Sequence, residues 1–229
     1  MHVLHGAWLI RFRLRRLGVD QRQVLIRAWA REFLALLAIK LEASSLPAQH
    51  GPVLLVANHI SFIDIVVLLA TSPCRLVSKA DVHHWPLIGP MATAMGTVFI
   101  ERESRRDAMR VVHHMAEAFR EGAVLAVFPE GTTGDGRELL PFHGNLLQAA
   151  IATDTPVQPL ALRYEEAASG VLSLAPAYIG NDSLLQTLWR TLRTPGLQVR
   201  LTVGAAEHAR GRERRQWAQD LHQGIAALR

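Results

Sequence analysis

Cysteine occurs once in 229 residues, at Cys74, so no intrachain disulfide can form and nothing in the chain calls for an oxidising compartment. Long apolar runs are missing as well: no stretch of about 18 or more uncharged apolar residues occurs, which argues against a membrane-spanning helix. The opening MHVLHGAWLIRFRLRRLG has neither the apolar core nor the small-residue cleavage site of a secretory signal. No Walker or dinucleotide phosphate loop, internal repeat or low-complexity tract is present, and no GxSxG turn, which argues against an ordinary α/β-hydrolase. The histidines at Asp81-Val82-His83-His84-Trp85 and at His113-His114 do not reproduce a metal-ligand spacing, so neither a structural nor a catalytic metal is expected.

What is present is an ordinary globular share of hydrophobic residues, 49%, in a length that buries a sizeable core, with no break in composition that marks a linker. Charge is unevenly spread. Arg11, Arg13, Arg15, Arg16, Arg22, Arg27, Arg31 and Lys40 face only Asp20 and Glu32 in the first 40 residues, which therefore carry +6 of a formal total of +5, leaving −1 for the remainder. From Trp8 to Leu17 large apolar residues alternate with arginines. Gln21 to Leu41 reads as a helix with Val24, Leu25, Ala28, Trp29, Phe33, Leu36, Leu37 and Leu41 at helical spacing. A basic amphipathic helix with Trp and Phe has the composition of a segment that lies in a membrane interface, its arginines drawn to anionic headgroups; the plainer alternative is a helix pair packed on the core. Nucleic acid is the other anionic partner that a pI near 10.3 allows, but the arginines alternate with large apolar residues and no nucleic-acid-reading motif appears, so none is expected.

The chain centres on Val53–Leu69, VLLVANHISFIDIVVLL. An apolar run with the character of a buried strand stops at Asn58-His59, and a second one resumes at Ile63, as in a strand feeding a helix. His59 and Asp64 flank the turn, a spacing that lets a carboxylate hold one imidazole nitrogen while the other acts as a base. The plainer reading is that Asp64 or Ser61 only caps the helix. Ala123–Gly131, AVLAVFPEG, repeats the pattern and ends in Glu130-Gly131-Thr132-Thr133. In open α/β sheets ligands bind where strands end at their carboxyl edge, so two such ends point to one shared site.

NHISFID (Asn58–Asp64) and FPEGTT (Phe128–Thr133) resemble the first and third signature blocks of the glycerolipid acyltransferases typified by 1-acylglycerol-3-phosphate acyltransferase; GTVFIER (Gly96–Arg102) resembles the second and VQPLAL (Val157–Leu162) the fourth. The resemblance implies an α/β domain with a mixed, largely parallel sheet flanked by helices, over residues 44–229, preceded by a basic amphipathic helical segment, residues 1–43. It implies acyl transfer from an acyl thioester, acyl-coenzyme A or acyl carrier protein, to the hydroxyl of a lysolipid, with no cofactor beyond that co-substrate. His59 would be the general base and Asp64 its orienting partner. Arg102 would recognise phosphate. Glu130 would orient acceptor hydroxyls or positive groups or brace its turn, and Gly131 would allow close backbone approach, with Thr132, Thr133 and Lys79 completing the substrate site. Backbone N–H groups at the start of the helix after His59, or Lys79, are the expected oxyanion donors.

Two departures bear on the acceptor. Thr133 stands where phosphatidic-acid-forming members carry Arg, and Glu101 where they carry Asp. The expected acceptor is 1-acyl-sn-glycerol-3-phosphate, giving phosphatidic acid, with lyso-ornithine lipid as the alternative. Thioester hydrolysis and a non-catalytic lipid-binding role are the rival readings. The expected location is the cytoplasmic face of a membrane, held peripherally. Elsewhere the pattern predicts a strand at Arg75–Ser78 and helices at Ser104–Glu121, Asn145–Ala152, Ser183–Leu192 and Glu213–Leu228. Edge strands are expected at Ala177–Ile179 and Val199–Val203.

Overall fold

The computed structural model describes residues 17–86, 88–100 and 105–229. The stretch from Trp8 to residue 16, the expected phosphate ligand Arg102 with Glu101 and Glu103, and the expected Ser104 cap lie outside these residues. The strands are β1 (Lys40–Ala43), β2 (Val53–Ala57), β3 (Arg75–Lys79), β4 (Val98–Ile100), β5 (Val124–Val127), β6 (Val157–Glu166) and β7 (Leu197–Val203). They form one sheet in the order β1-β7-β6-β2-β5-β3-β4. Every neighbouring pair is parallel except β6 with β7, which is antiparallel. The sheet is thus mixed and largely parallel, as the sequence implies.

Central strands β2 and β5 are buried along their whole length because both faces of the sheet are covered, which is why they read as unbroken apolar runs. Successive side chains point to opposite faces. Leu55, Ala57, Val124 and Ala126 join the layer that holds α1 (Val19–Leu36) and α2 (Ile63–Thr71). Leu54, Val56, Leu125 and Val127 join the layer of α4 (Arg105–Arg120), α5 (Leu147–Ala152) and α7 (Arg214–Leu228). A short helix, α3 (Ile88–Ala94), links β3 to β4, and α6 (Leu184–Leu192) precedes β7.

Three expectations are corrected. The first helix ends at Leu36 and not at Leu41, because Ala38 takes a left-handed conformation, φ 53°. The Ala38 N–H then donates to Ala35 O at 3.0 Å and the Ile39 N–H to Leu34 O at 3.0 Å, a Schellman closure with an alanine where glycine is usual. Ile39 is buried in the same core layer as Leu34, and the chain leaves as β1. Second, β7 is not an edge strand: β1 pairs with its outer side from Lys40 opposite Gln198 to Ala43 opposite Leu201. Third, Ala177–Ile179 forms no strand; it is a loop held by contacts to the site described below. The helix predicted from Asn145 opens as a 3₁₀ turn, Gly144–Leu146, before α5. At α6 the Ser183 hydroxyl accepts from the Gln186 N–H at 3.2 Å while the Gln186 side chain accepts from the Ser183 N–H at 2.8 Å, a capping box.

Helix α1 is no detached arm. Ile26, Ala30, Phe33 and Leu34 are buried in the layer shared with α2, and two of its arginines reach the body: Arg27 donates to Gln49 Oε1 at 2.7 Å and Arg31 to Ala70 O at 3.2 Å. Among the described residues no helix is long and apolar enough to cross a membrane.

Candidate active site

The site lies at the carboxyl ends of β2 and β5, adjacent parallel strands. Beyond Ala57 the pairing of β2 with β6 is carried on by a side chain. Asn58 Nδ2 donates to Leu162 O at 3.0 Å and the Leu162 N–H donates to Asn58 Oδ1 at 2.7 Å. An asparagine satisfies both backbone groups of one residue because its amide offers a donor and an acceptor side by side. The chain then turns sharply at His59 into α2, with Asp64 in the first turn.

His59 Nδ1 and Asp64 Oδ2 are 2.8 Å apart. The carboxylate oxygen accepts, so Nδ1 carries the proton of the neutral ring and Nε2 is the atom with a free lone pair. The His59 side chain is 17% exposed and that of Asp64 is fully buried, so the base reaches solvent while its partner does not. The same Asp64 Oδ2 accepts from the Ile60 N–H at 2.6 Å and the Ser61 N–H at 2.8 Å, and Oδ1 accepts from the Tyr164 hydroxyl at 2.7 Å. Four donors therefore converge on one buried carboxylate. Ser61 is turned inward: its Oγ accepts from the Ile63 N–H at 3.2 Å and its carbonyl from the Asp64 N–H at 3.1 Å.

These contacts correct one expectation. The N–H groups of Ile60, Ser61, Ile63 and Asp64 at the start of the helix are committed inward, to Asp64 and Ser61, and are not presented to a ligand. Lys79 is the other oxyanion donor expected from sequence. It is exposed at the carboxyl end of β3, opposite Ile100, the last residue of β4.

The turn after β5 is fastened to the first turn. Glu130 Oε1 accepts from the His59 N–H at 2.7 Å and Oε2 from the Leu140 N–H at 2.9 Å, and the Gly134 N–H donates to His59 O at 2.8 Å. Both backbone groups of His59 are thus held by the loop that follows β5. Phe128 stacks on the imidazole, centroids 4.0 Å apart and planes 11° apart, which fixes the ring's plane as Asp64 fixes its rotation. Burial pushes the Glu130 carboxyl above its ordinary range, and the two backbone donors and His59 only partly offset this. Burial and the neighbouring Asp64 raise the Tyr164 phenol well above its usual value, keeping it a neutral donor.

Gly131 turns at φ 74°, a conformation that suits a residue without Cβ, and Thr132 is exposed beside it. Thr133 is turned away: its hydroxyl donates to Tyr178 O, while the Tyr178 N–H donates to Ile60 O at 3.0 Å. The structure therefore brings together His59, Asp64, Glu130, Gly131 and Thr133 and places Lys79 on the same edge of the sheet; Arg102 follows β4 outside the described residues. Sequence reasoning missed Tyr164, Asn58 and Phe128. The one trace of Tyr164 is the two-residue period Leu160, Leu162, Tyr164, which puts a residue with a polar tip at an inward position. Among the described residues no group of three His, Cys, Asp or Glu side chains is placed to hold a metal.

Comparison with known proteins agrees with this arrangement. A family model described as Acyltransferase matches residues 39–163, which include β2, β5, His59, Asp64, Lys79, Glu130, Gly131 and Thr133. The chain is 36% identical over 223 residues to a lyso-ornithine lipid O-acyltransferase of Pseudomonas aeruginosa, covering 96% of this chain and 84% of that one. It is 32% identical over 231 residues to a 1-acyl-sn-glycerol-3-phosphate acyltransferase of Neisseria meningitidis, covering 97% and 89%. In fold it is similar to the crystal structure of the 1-acyl-sn-glycerophosphate acyltransferase of Thermotoga maritima, with a TM-score of 0.69 at 19% identity over 99% of this chain and 94% of that one. With a His–Asp pair at the strand ends and a family match across more than half its length, this chain belongs to the acyltransferase family.

Proposed function

We propose that this protein transfers an acyl group from a thioester, acyl-coenzyme A or acyl carrier protein, to the hydroxyl of a lysolipid. The observation that carries the reading is the His59–Asp64 contact, with Nδ1 bound to the buried carboxylate and Nε2 left as the base. His59 Nε2 takes the proton of the acceptor hydroxyl as its oxygen attacks the thioester carbonyl. Asp64 stabilises the imidazolium, the tetrahedral intermediate collapses with cleavage of the C–S bond, and the thiolate leaves with the proton from Nε2. The products are an ester and a free thiol, so the step needs no enzyme nucleophile and no cofactor. In this scheme Lys79 supports the oxyanion and Arg102, on the sequence argument alone, the acceptor phosphate. Thr132 and Gly131 border the acceptor, and Glu130 acts as a positioning residue because both its oxygens are spent on backbone N–H groups.

The acceptor of the first reading is 1-acyl-sn-glycerol-3-phosphate, which would place the enzyme in phospholipid synthesis; the Neisseria relative bears that activity in its name. A second reading, lyso-ornithine lipid, is favoured by Thr133, which supplies no cation to the third block and spends its hydroxyl on Tyr178 O. The Pseudomonas relative bears that name. We further propose that the basic segment ahead of β1 holds the catalytic body peripherally on the cytoplasmic face of a membrane, as its arginine and apolar composition supports.

The test is thiol release from oleoyl-coenzyme A by purified protein with each lysolipid in turn and with none, the diacyl product being confirmed by mass. Release that depends on one lysolipid and vanishes in His59→Ala is expected. Release without acceptor would point to a thioesterase, and undiminished turnover in His59→Ala would remove the base from its role.

A further inference from the structure

Helix α6 is built inside out. Leu185, Trp189 and Leu192 recur at i, i+4 and i+7 and so share one side within about 60° of arc at roughly 100° per residue. They are 77%, 61% and 52% exposed. The opposite side carries Thr187 and Thr191, both buried, with the Thr191 hydroxyl donating to Thr187 O at 2.8 Å. A helix that only packs on a core turns its leucines inward and its threonines outward. Here the reverse holds.

The helix is also tied to the site. Arg190 Nε donates to Ala175 O at 2.8 Å, and its terminal nitrogen reaches Ala177 O and, at 2.9 Å, Asp182 Oδ2. The loop held this way presents Tyr178, which contacts Ile60 O and Thr133 in the two turns around His59. Leu188, on the flank of α6, packs against the same core layer as Trp29 of α1, so the two helices lie on one face of the sheet.

We propose that the Leu185–Trp189–Leu192 face of α6 lies in the interface of an anionic lipid bilayer, and so holds the turns around His59 at the lipid surface. The lysolipid reading supplies the purpose of this contact; the contact itself has separate support. Indole sits well at the boundary of headgroup and acyl chain. The Arg193 guanidinium lies 5.3 Å from the Trp189 ring centroid, which sets a cation beside the apolar face, suited to anionic headgroups. Three partly exposed side chains offer on the order of a few hundred Å², well short of the roughly 800 Å² per partner of a stable protein interface, which favours a bilayer over a second copy of the chain.

Cys74 is the lone cysteine and is buried, so a thiol-directed, environment-sensitive fluorophore on Leu185→Cys reads this face alone. The control is Gln223→Cys, exposed on α7 against the opposite layer. With vesicles of phosphatidylcholine and phosphatidylglycerol, the probe at 185 is expected to shift to the blue and become shielded from iodide, while the probe at 223 does neither. An unshifted 185 probe on protein that sediments with the vesicles would overturn the proposal, as would a shift that grows with protein concentration in the absence of vesicles. The triple variant Leu185→Asn, Trp189→Asn, Leu192→Asn is expected to keep its turnover on a monomeric, short-chain 1-acylglycerol-3-phosphate and to lose roughly tenfold or more on vesicle-borne acceptor. Equal loss on both would mean a merely structural role and would also overturn it. Wild-type protein inactive on every lysolipid would instead defeat the acyl-transfer reading, while the fluorescence result would still decide the surface.

Discussion

Tyr164→Phe removes one oxygen atom and keeps the ring, so its consequences follow from a single hydrogen bond. The hydroxyl donates to Asp64 Oδ1 at 2.7 Å from a fully buried position, and Asp64 is itself fully buried. No solvent reaches the carboxylate to replace the lost donor. A hydrogen bond to a charged group contributes about 1.5–3 kcal/mol, and a buried acceptor left without its partner costs a similar amount. The variant should therefore unfold more easily by about 2 kcal/mol, which in a chain of this length lowers Tm by roughly 4–8 °C. Asp64 keeps three donors on Oδ2, so His59 stays held, but the carboxylate is freer to rotate about its Cβ–Cγ bond. Turnover should fall by about two- to tenfold with KM unchanged, far less than on loss of the base. Urea denaturation at 25 °C and thiol release from oleoyl-coenzyme A measure the two effects. In a cycle with Asp64→Asn, the two substitutions should be coupled by about 0.5–3 kcal/mol, as contacting residues are. Strict additivity, or a Tyr164→Phe protein with wild-type melting and turnover, would refute the positioning role of this phenol.

The remaining predictions concern the same pair of turns. Asp64→Asn leaves one oxygen for four donors and turns an amide N–H₂ toward at least one of them; kcat should drop by about 10²–10⁴, and steady-state kinetics showing less than a threefold change would contradict the pairing. Glu130 has its carboxyl raised above the ordinary 4.5 by burial, so the folded protein holds that proton more tightly than the unfolded chain. Its contribution to stability is then greatest below about 4.5 and declines as pH rises through the folded value. Glu130→Gln should be destabilising by about 1–3 kcal/mol through the lost N–H acceptor, and the gap to wild type in urea titrations should narrow from pH 4.5 toward pH 7.5; a widening gap would reverse the sign argued here. Gly131→Ala forces a Cβ into φ 74° and should lower stability by about 1–2 kcal/mol, read as a lower midpoint in the same titration.

The strand ends before His59 and Glu130 were legible because both faces of the central sheet are covered. Burial on both sides makes β2 and β5 continuous apolar runs, and each run ends abruptly where polar chemistry begins. Helices α6 and α7 were legible from apolar spacing at 3.6 residues. Where the reading failed, a local rule was overridden by a distant partner. Ala38 ends α1 without the customary glycine because the Ala38 and Ile39 N–H groups close the helix on Ala35 O and Leu34 O and Ile39 is buried in the core, and a single alanine carries no sequence signal for that. The expected strand at Ala177–Ile179 is a loop because Arg190 takes the Ala177 carbonyl, Thr133 the Tyr178 carbonyl, the Asp182 N–H the Ile179 carbonyl and Ile60 the Tyr178 N–H.

By itself the sequence determined the class of fold, the central strands β2 and β5 and the closeness of His59 to Asp64, because each of these depends on residues within a few positions of one another or on repeating apolar spacing. Only the tertiary structure decided that Tyr164, 100 residues from Asp64, supplies the fourth donor to its carboxylate. Only there does Glu130, 71 residues from His59, lock the backbone of the base. The physical reason is common to both. A hydrogen bond between segments far apart in the chain depends on which strands become neighbours and in which register, and parallel strands are brought together by crossovers whose geometry no local pattern records.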